Sequence, residues 1–453
     1  MKIIILGAGR IGSSLAIGLA QENNEITLVD LEEQYLRNVS NRVDLRTLCG
    51  NGAHPNILQQ AGAEDADMLV ALTRSDEVNM IACQVAYSLF NTPQRIARVR
   101  AAEYLAQGNL FMTEALPIDV LISPEQIAAR NIERLIRRPG ALQVLEFADG
   151  LAQLAVVRIS PGAPAAGRNL LDLQHSLPDV QLHVAAVYRD QQVLKPEPEL
   201  RLKAHDEIVV LTRTDQLNTV VEKLRAQPGR SRHILIAGGG NVGNGIAAQL
   251  ESDCHVKIIE HNEYRARYLS EQLARTTVLQ GDATDDKLLL DENIRDMDVF
   301  CAVTNNEEAN ILSAMQAKRM GVSTTIALIN RPSYIDLIER SVDITVSPQQ
   351  ATLSELLTHI RRGDVLAVHS LRRGRAEALE AKAHQTAAAI GQPIGQLNLP
   401  TSVDIAALVR NGEMILPNTL TTIQPDDHVI LFISDKRYLK DVERLFQVSA
   451  TFF

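Results

Sequence analysis

Two glycine-rich turns stand 231 positions apart in one chain: Gly7-Ala8-Gly9-Arg10-Ile11-Gly12 and Gly238-Gly239-Gly240-Asn241-Val242-Gly243. Each follows an apolar run, Ile3-Ile4-Ile5-Leu6 in the first case and Ile234-Leu235-Ile236-Ala237 in the second. Each opens a helical pattern, with Ile11, Leu15 and Leu19 repeated as Val242, Ile246 and Leu250 at i, i+4 and i+8. An acidic residue follows at Asp30 or Glu260. Strand, tight turn, helix and a downstream carboxylate together are the sequence form of a dinucleotide-binding unit, far more specific than the glycines alone. Two such units in tandem predict a protein that senses a nucleotide rather than one that processes a substrate.

The duplication extends well beyond the turns. The same offset of 231 carries Gly50 onto Gly281, Asp67 onto Asp298, Thr73 onto Thr304 and Asn79 onto Asn310, while Asp30 and Glu260 match after a one-residue gap. Further on the offset shrinks, as loop deletions require. Ser123-Pro124 matches Ser347-Pro348 at 224, and Val184–Asp190 matches Ile405–Asn411 at 221. Each copy has two parts. In the first part of copy one, strands are expected at Lys2–Leu6, Glu25–Val29, around Leu45–Leu48, at Met68–Leu72 and Ile96–Val99, and near Val120–Ile122, with amphipathic stretches between them. That is a parallel sheet of Rossmann type. The second part alternates apolar and polar residues, as in Gln153–Ile159 and Glu207–Leu211, and ends in a helical pattern (Asp215–Leu224; Lys436–Phe446). The expected fold is therefore α/β: two tandem Rossmann-type domains, 1–138 and 232–362, each followed by a small α+β lobe, 139–225 and 363–453, with a linker at 226–231.

Composition narrows the partners. At 453 residues, about three or four domains are expected at roughly 150 residues each. The net charge of −10 argues against nucleic acid or a bare anionic membrane as the main partner, since both favour a basic surface. Cys49, Cys83, Cys254 and Cys301 are scattered without metal-ligand spacing, so neither zinc nor disulfides are expected. No signal-peptide pattern opens the chain and no apolar run approaches a membrane span, which predicts a cytosolic protein.

In each turn the first glycine permits the sharp reversal, the second admits a pyrophosphate against the backbone, and the third lets helix pack on strand. The helix N-terminus then offers N–H groups and a positive dipole end to the phosphates. Asp30 and Glu260 are placed to accept hydrogen bonds from ribose hydroxyls and would repel a 2′-phosphate, which favours NAD(H) or an adenine nucleotide over NADP. The copies differ. Arg10 stands where copy two has Asn241, Asn51 where it has Asp282, and Arg98 where it has Leu328. Arg10 and Arg98 suit a terminal phosphate, although Arg98 and Arg100 also read as surface arginines at a strand end. Thr73-Arg74 and Thr304-Asn305 lie just past the fourth strand, at the carboxyl edge where open α/β sheets bind ligands, with helix capping as the alternative for the threonines.

These residues, with the segment Asp65–Thr73 leading through Asp76-Glu77-Val78-Asn79-Met80, and Tyr188-Arg189-Asp190 with Pro196 and Asp206, resemble the TrkA family of cytosolic regulatory subunits of bacterial Trk potassium uptake systems. The resemblance covers essentially the whole chain. It implies two RCK units, each a Rossmann domain and a TrkA-C lobe, that bind NAD(H) or ATP/ADP. It also implies a homo-oligomeric ring, dimer or tetramer, peripheral on the inner face of the membrane beneath an integral-membrane potassium-translocating subunit. The first site would use Gly7 to Ile11, Asp30, Thr73-Arg74 and Arg98; the second Gly238 to Val242, Glu260, Asp282 and Thr304-Asn305. Glu125–Arg138, with Ala128, Ile132, Leu135 and Ile136 on one side and Arg130, Arg134 and Arg137 on another, would be the crossover helix where neighbouring domains pair. His205 stands before Asp206, where the family usually has glycine. The rival function is an NAD-dependent dehydrogenase, but the lobes are small for a substrate domain and their histidines do not recur: His183 aligns with Asp404 and His205 with Asp426. No catalytic or metal-ligating residue is therefore expected.

Overall fold

Ile3-Ile4-Ile5-Leu6 is apolar at every position, so the strand it forms must be covered on both faces, and all four side chains are buried. The computed structural model describes the chain except for Asn23, Thr113, Glu114, Gln191, 226–231, 339–340, 361–364, 372–375, 439–441, 443–444 and 447–453. The expected linker and much of the expected last helix fall outside the described residues. The chain divides into two compact units, Met1–Ala128 with Ser347–His359, and Ala129–Val346 with Ile360–Phe453.

The first unit is built on strands β1 (Lys2–Leu6), β2 (Glu25–Asp30), β3 (Arg46–Cys49), β4 (Met68–Ala71), β5 (Gln94–Arg98) and β6 (Val120–Ile122), all parallel in the order β3-β2-β1-β4-β5-β6. Helices α1 (Arg10–Gln21), α2 (Glu33–Ser40), α3 (Pro55–Ala61), α4 (Asp76–Phe90) and α5 (Ala102–Leu105) connect them, and α6 (Pro124–Arg137) follows β6. The strand order reverses between β1 and β4, which places a switch-point crevice above their carboxyl ends. The unit also takes in Ser347–His359 from the second copy. Gln349 donates to Ser14 Oγ at 3.1 Å and to Arg10 O at 3.3 Å, and Gln94 donates to His359 O at 3.1 Å.

The second unit begins inside α6, whose Arg137 reaches Asp253 at 2.8 Å and Gln249 O at 3.1 Å. Its first lobe is an antiparallel sheet of β7 (Ala141–Phe147), β8 (Ala152–Arg158), β9 (Leu182–Arg189), β10 (Gln192–Leu194) and β11 (Glu207–Arg213), with α7 (Leu170–His175) and α8 (Leu217–Leu224). A second Rossmann sheet repeats the first: β12 (His233–Ala237), β13 (His255–Glu260), β14 (Thr277–Gln280), β15 (Val299–Ala302), β16 (Thr324–Leu328) and β17 (Ile344–Val346), in the order β14-β13-β12-β15-β16-β17. Its helices are α9 (Asn241–Leu250), α10 (Glu263–Gln272), α11 (Asp286–Asp291), α12 (Glu307–Arg319) and α13 (Pro332–Ile338), and β17 leads into α14 (Pro348–Ile360), nearly all of which belongs to the first unit. The second lobe holds β18 (Val365–Leu371), β19 (Ala376–Lys382), β20 (Val403–Arg410), β21 (Glu413–Ile415) and β22 (His428–Ile433).

The two lobes share one apolar core. Phe147, Val156, Ala186 and Val209 of the first lobe pack with Ala378, Ala407, Val409 and Phe432 of the second. At its edge His183 Nε2 lies 2.6 Å from Asp404 Oδ2, so two positions that are equivalent in the repeat also meet in space. Within each lobe a buried aspartate holds an arginine in a two-pronged pair. Asp206 takes Arg189 at 2.8 and 2.7 Å, and Asp427 takes Arg410 at 2.7 Å twice. The Tyr188-Arg189-Asp190 signature is thus a brace between strand and turn.

His369, edge-on to Phe147 at 5.3 Å, has its pKa pushed down to about 4 by burial, with the nearby Arg134 charge adding to the effect. Because it is neutral when folded and charges near pH 6.5 when unfolded, its contribution is complete above about pH 6.5 and is lost as pH falls toward 4. In His369→Phe, thermal unfolding followed from pH 7 to 4 is expected to depend less steeply on pH than in the parent.

Candidate functional site

Each glycine of the first turn meets a different constraint. Gly7 has φ +102°, and a Cβ there would lie 2.9 Å from the Leu72 carbonyl carbon and oxygen. A Cβ on Gly12 would come within 1.9 Å of Gly7 O. Gly9 differs: a Cβ there meets nothing within 4 Å, because Gly9 opens to the crevice as the N-cap of α1. No side chain caps α1 and no acidic residue occupies its first turn, so its leading N–H groups face outward without a carboxylate of their own helix. The second turn repeats this. Gly238 has φ +106°, a Cβ on Gly243 would come within 1.9 Å of Gly238 O, and Gly240 is open at an uncapped α9.

Asp30 and Glu260 sit beside these turns, fixed by backbone donors. Asp30 Oδ2 accepts from Ala8 N at 2.5 Å and its Oδ1 from Glu32 N at 2.9 Å. Glu260 Oε2 accepts from Gly239 N at 2.7 Å and its Oε1 from Asn262 N at 2.8 Å. The longer glutamate is matched by a smaller turn residue. A methyl on Gly239, where copy one has Ala8, would stand 2.3 Å from Leu269 Cδ1 and 3.1 Å from Glu260 Oε2. The longer Glu260 side chain and the missing methyl at Gly239 therefore go together.

At the β4 edge, Thr73 turns its hydroxyl inward, 2.7 Å from Asn79 Oδ1, which also accepts from Thr73 N at 2.9 Å. Asn79 Nδ2 donates to Thr73 O at 3.2 Å and Arg98 O at 2.9 Å, pinning the ends of β4 and β5 together. Asn310 does the same for Thr304 and Leu328, with corresponding distances of 2.7, 2.9, 3.0 and 3.0 Å. Both asparagines are fully buried. Helix capping falls two residues beyond the threonines, on Ser75 and Asn306. The repeat pairs Asn79 with Asn310 but assigns neither a role; the available signal is a polar residue recurring on the buried face of a helix.

The remaining expected residues are distributed as follows. Arg10 and Arg74 are exposed at the crevice mouth, and the Arg74 carbonyl accepts from Arg100. Arg98 is largely enclosed. Its guanidinium lies 3.8 Å from Glu125, its Nε meets no hydrogen-bond partner among the described residues, and burial pulls its pKa below the usual arginine value. Leu328 occupies the matching place in copy two and is buried. Asn51 Oδ1 accepts from Ala53 N at 3.0 Å. Asp282 Oδ1 accepts from Thr284 N and Oγ1, both at 2.8 Å, and the backbone donor holds its carboxyl below the ordinary range. Asn305 is exposed. One unexpected residue, Arg265, donates from Nε to Gly239 O at 2.8 Å and lies 5.0 Å from the Tyr268 ring centre. Copy one thus carries Arg10, Arg74 and Arg98 at these positions, whereas copy two has Asn241, Asn305 and Leu328 there, with Arg265 bonded to the Gly239 carbonyl. Among the described residues no cluster of His, Cys, Asp and Glu has metal-site geometry.

Residues 3–124 and 234–348 match the TrkA-N domain, and residues 154–225 and 379–447 match the TrkA-C domain. The chain is 51% identical to a Trk system potassium uptake protein TrkA of Halomonas elongata, 47% to one of Vibrio alginolyticus and 43% to one of Haemophilus influenzae, in each case over the full length of both chains. In fold it is similar to the GsuK RCK domain, with a TM-score of 0.61 and 19% identity over 98% of this chain and 94% of that one. It is similar also to a GsuK channel bound to NAD, with a TM-score of 0.60 and 19% identity over 98% of this chain and 78% of that one.

Proposed function

This chain belongs to the TrkA family and is a regulatory subunit of a potassium transport system, and from that premise we propose that it responds to NAD(H) or ATP/ADP held in its two crevices. The observation that supports this most is the pairing, in both copies, of an uncapped helix N-terminus with a carboxylate anchored on the glycine turn's own N–H. The helix end suits a pyrophosphate and the carboxylate a ribose. In crevice one, Gly7–Ile11, Asp30, Asn51, Thr73-Arg74 and Arg98 would surround the nucleotide, with Asn79 as the positioning residue behind them. In crevice two, Gly238–Val242, Glu260, Asp282 and Thr304-Asn305 would do so. The boundaries drawn from sequence, 1–138, 139–225, 232–362 and 363–453, are the functional modules of this reading.

The ligand acts by differential affinity, since it can only shift a conformational equilibrium to which it binds unequally. ATP and ADP differ by one phosphate, which Arg10 or Arg98 would reach; a tenfold difference in affinity between two states shifts their equilibrium by about 1.4 kcal/mol. The state selected would pass through a homo-oligomeric ring to an integral-membrane potassium-translocating subunit on whose cytoplasmic side the chain docks. Among the described residues no helix is long and apolar enough to cross a membrane, so translocation is assigned to that partner. No chemical step is required, and NADH turnover is not expected. In liposomes holding both subunits, potassium flux is expected to differ between ATP and ADP; equal flux with ATP, ADP and no nucleotide contradicts the reading.

A further inference from the structure

A cleft of about 180 Å³, lined by no residue of either glycine turn, lies in the second unit where the first lobe meets the second Rossmann sheet. Gly140, Arg158, His205 and Arg225 form the lobe side, and Lys318 and Thr324 contribute from the other. Lys318 is satisfied internally, with Asp343 oxygens at 2.7 and 2.8 Å and Ser323 O at 3.1 Å, so this pair contributes no net charge. Arg158 holds Glu207 at 2.8 Å through one terminal nitrogen only. Arg225 has no ion pair or hydrogen bond among the described residues, which leaves the cleft with an uncompensated positive charge.

Two backbone features support this arrangement. Gly140 has φ +102°, and a Cβ on it would lie 2.1 Å from Arg225 Cδ and 2.8 Å from its Nε, so the arginine lies across a glycine that makes room for it. His205 has φ +71°, a conformation that a residue with a side chain seldom adopts. The second lobe shows the alternative. At the positions equivalent to Arg158 and His205 it has Lys382 and Asp426, which neutralise each other at 2.9 Å. Lobe one keeps the strained conformation but replaces the carboxylate with an imidazole, removing the acid that would repel an anion.

We propose that this cleft binds a small multivalent oxyanion of the phosphate class, held by Arg225 and Arg158 with His205 and Thr324 as further donors. An oxyanion offers mainly acceptors, which suits the guanidinium, imidazole and hydroxyl groups of the wall, while the Asp343 carboxylate there is engaged by Lys318. The volume is below the roughly 300–1,000 Å³ typical of drug-sized ligands, so phosphate or pyrophosphate fits and a dinucleotide does not. Because both the lobe and the Rossmann domain wall the cleft, the anion would bridge them.

The test is calorimetric titration of inorganic pyrophosphate and phosphate into the full chain at constant ionic strength, using the parent, Arg225→Gln, His205→Gly and Gly9→Ala. Arg225→Gln is expected to weaken pyrophosphate binding tenfold or more while leaving NADH binding unchanged. His205→Gly is expected to weaken it while raising the melting temperature, a combination that relief of strain alone does not give. Gly9→Ala is expected to leave this site intact. Unchanged pyrophosphate binding in both Arg225→Gln and His205→Gly overturns the proposal, as does loss of all pyrophosphate binding in Gly9→Ala alone, which would place the anion at a glycine turn.

Discussion

Gly9→Ala is expected to lose nucleotide affinity in crevice one by at least a hundredfold with no change in melting temperature, whereas Gly12→Ala loses both. The two substitutions add the same methyl group to neighbouring turns of chain. On Gly12 it enters the backbone oxygen of Gly7 at 1.9 Å, so helix and strand must separate. On Gly9, whose φ of −68° and ψ of −172° suit alanine, it projects into open space that only a ligand would contest. The pair therefore separates glycines that serve the fold from glycines that serve the ligand. Isothermal titration with NADH and thermal melts on both variants check it, and Gly9→Ala binding as tightly as the parent would remove the pyrophosphate from this turn.

Asp206→Ala is expected to destabilise the lobe pair by about 3–5 kcal/mol, because it strands Arg189 and leaves the Lys203 N–H without its acceptor. Asp206 is almost fully buried, and its partner is locked in turn by Arg201 O at 2.7 Å. Asp427→Ala should match it in the second lobe, where Arg410 and Gln424 N lose the same support. At roughly 2–4 °C per kcal/mol for a body of this size, melting should fall by about 10 °C. Hydrogen exchange should rise in β8, β9 and β11 and not in β1–β5. A melting temperature within 1 °C of the parent would mean that the brace is dispensable.

Much of this was legible in the residues, and the exceptions have a common cause. The strand-turn-helix of Lys2–Gln21 is written locally, in an apolar run, glycines at fixed spacing and a 3.6-residue period, so its elements fall within a residue or two of expectation. The same holds for β4, β6 and β8. Sequence did not reveal that Ser347–His359 belongs with the first Rossmann domain, nor that the lobes close on one core, since both depend on contacts between segments hundreds of positions apart. In the repeat alignment His183 and Asp404 are a mismatch; in space they are bonded to each other. Asn79 and Arg265 escaped for a related reason. Neither lies in the glycine motif, and each acts by holding backbone that does: the ends of β4 and β5 in one case, Gly239 in the other.

The central claim is that two nucleotide crevices exist in one chain, each closed by its own carboxylate. Calorimetry on the full-length protein with NADH, NAD, ATP and ADP tests it most directly, alongside Asp30→Ala and Glu260→Ala. The account predicts heat from at least one of these ligands, with each substitution weakening binding about tenfold at its own crevice and sparing the other. No heat from any of the four, or binding that survives the double substitution unchanged, would contradict it.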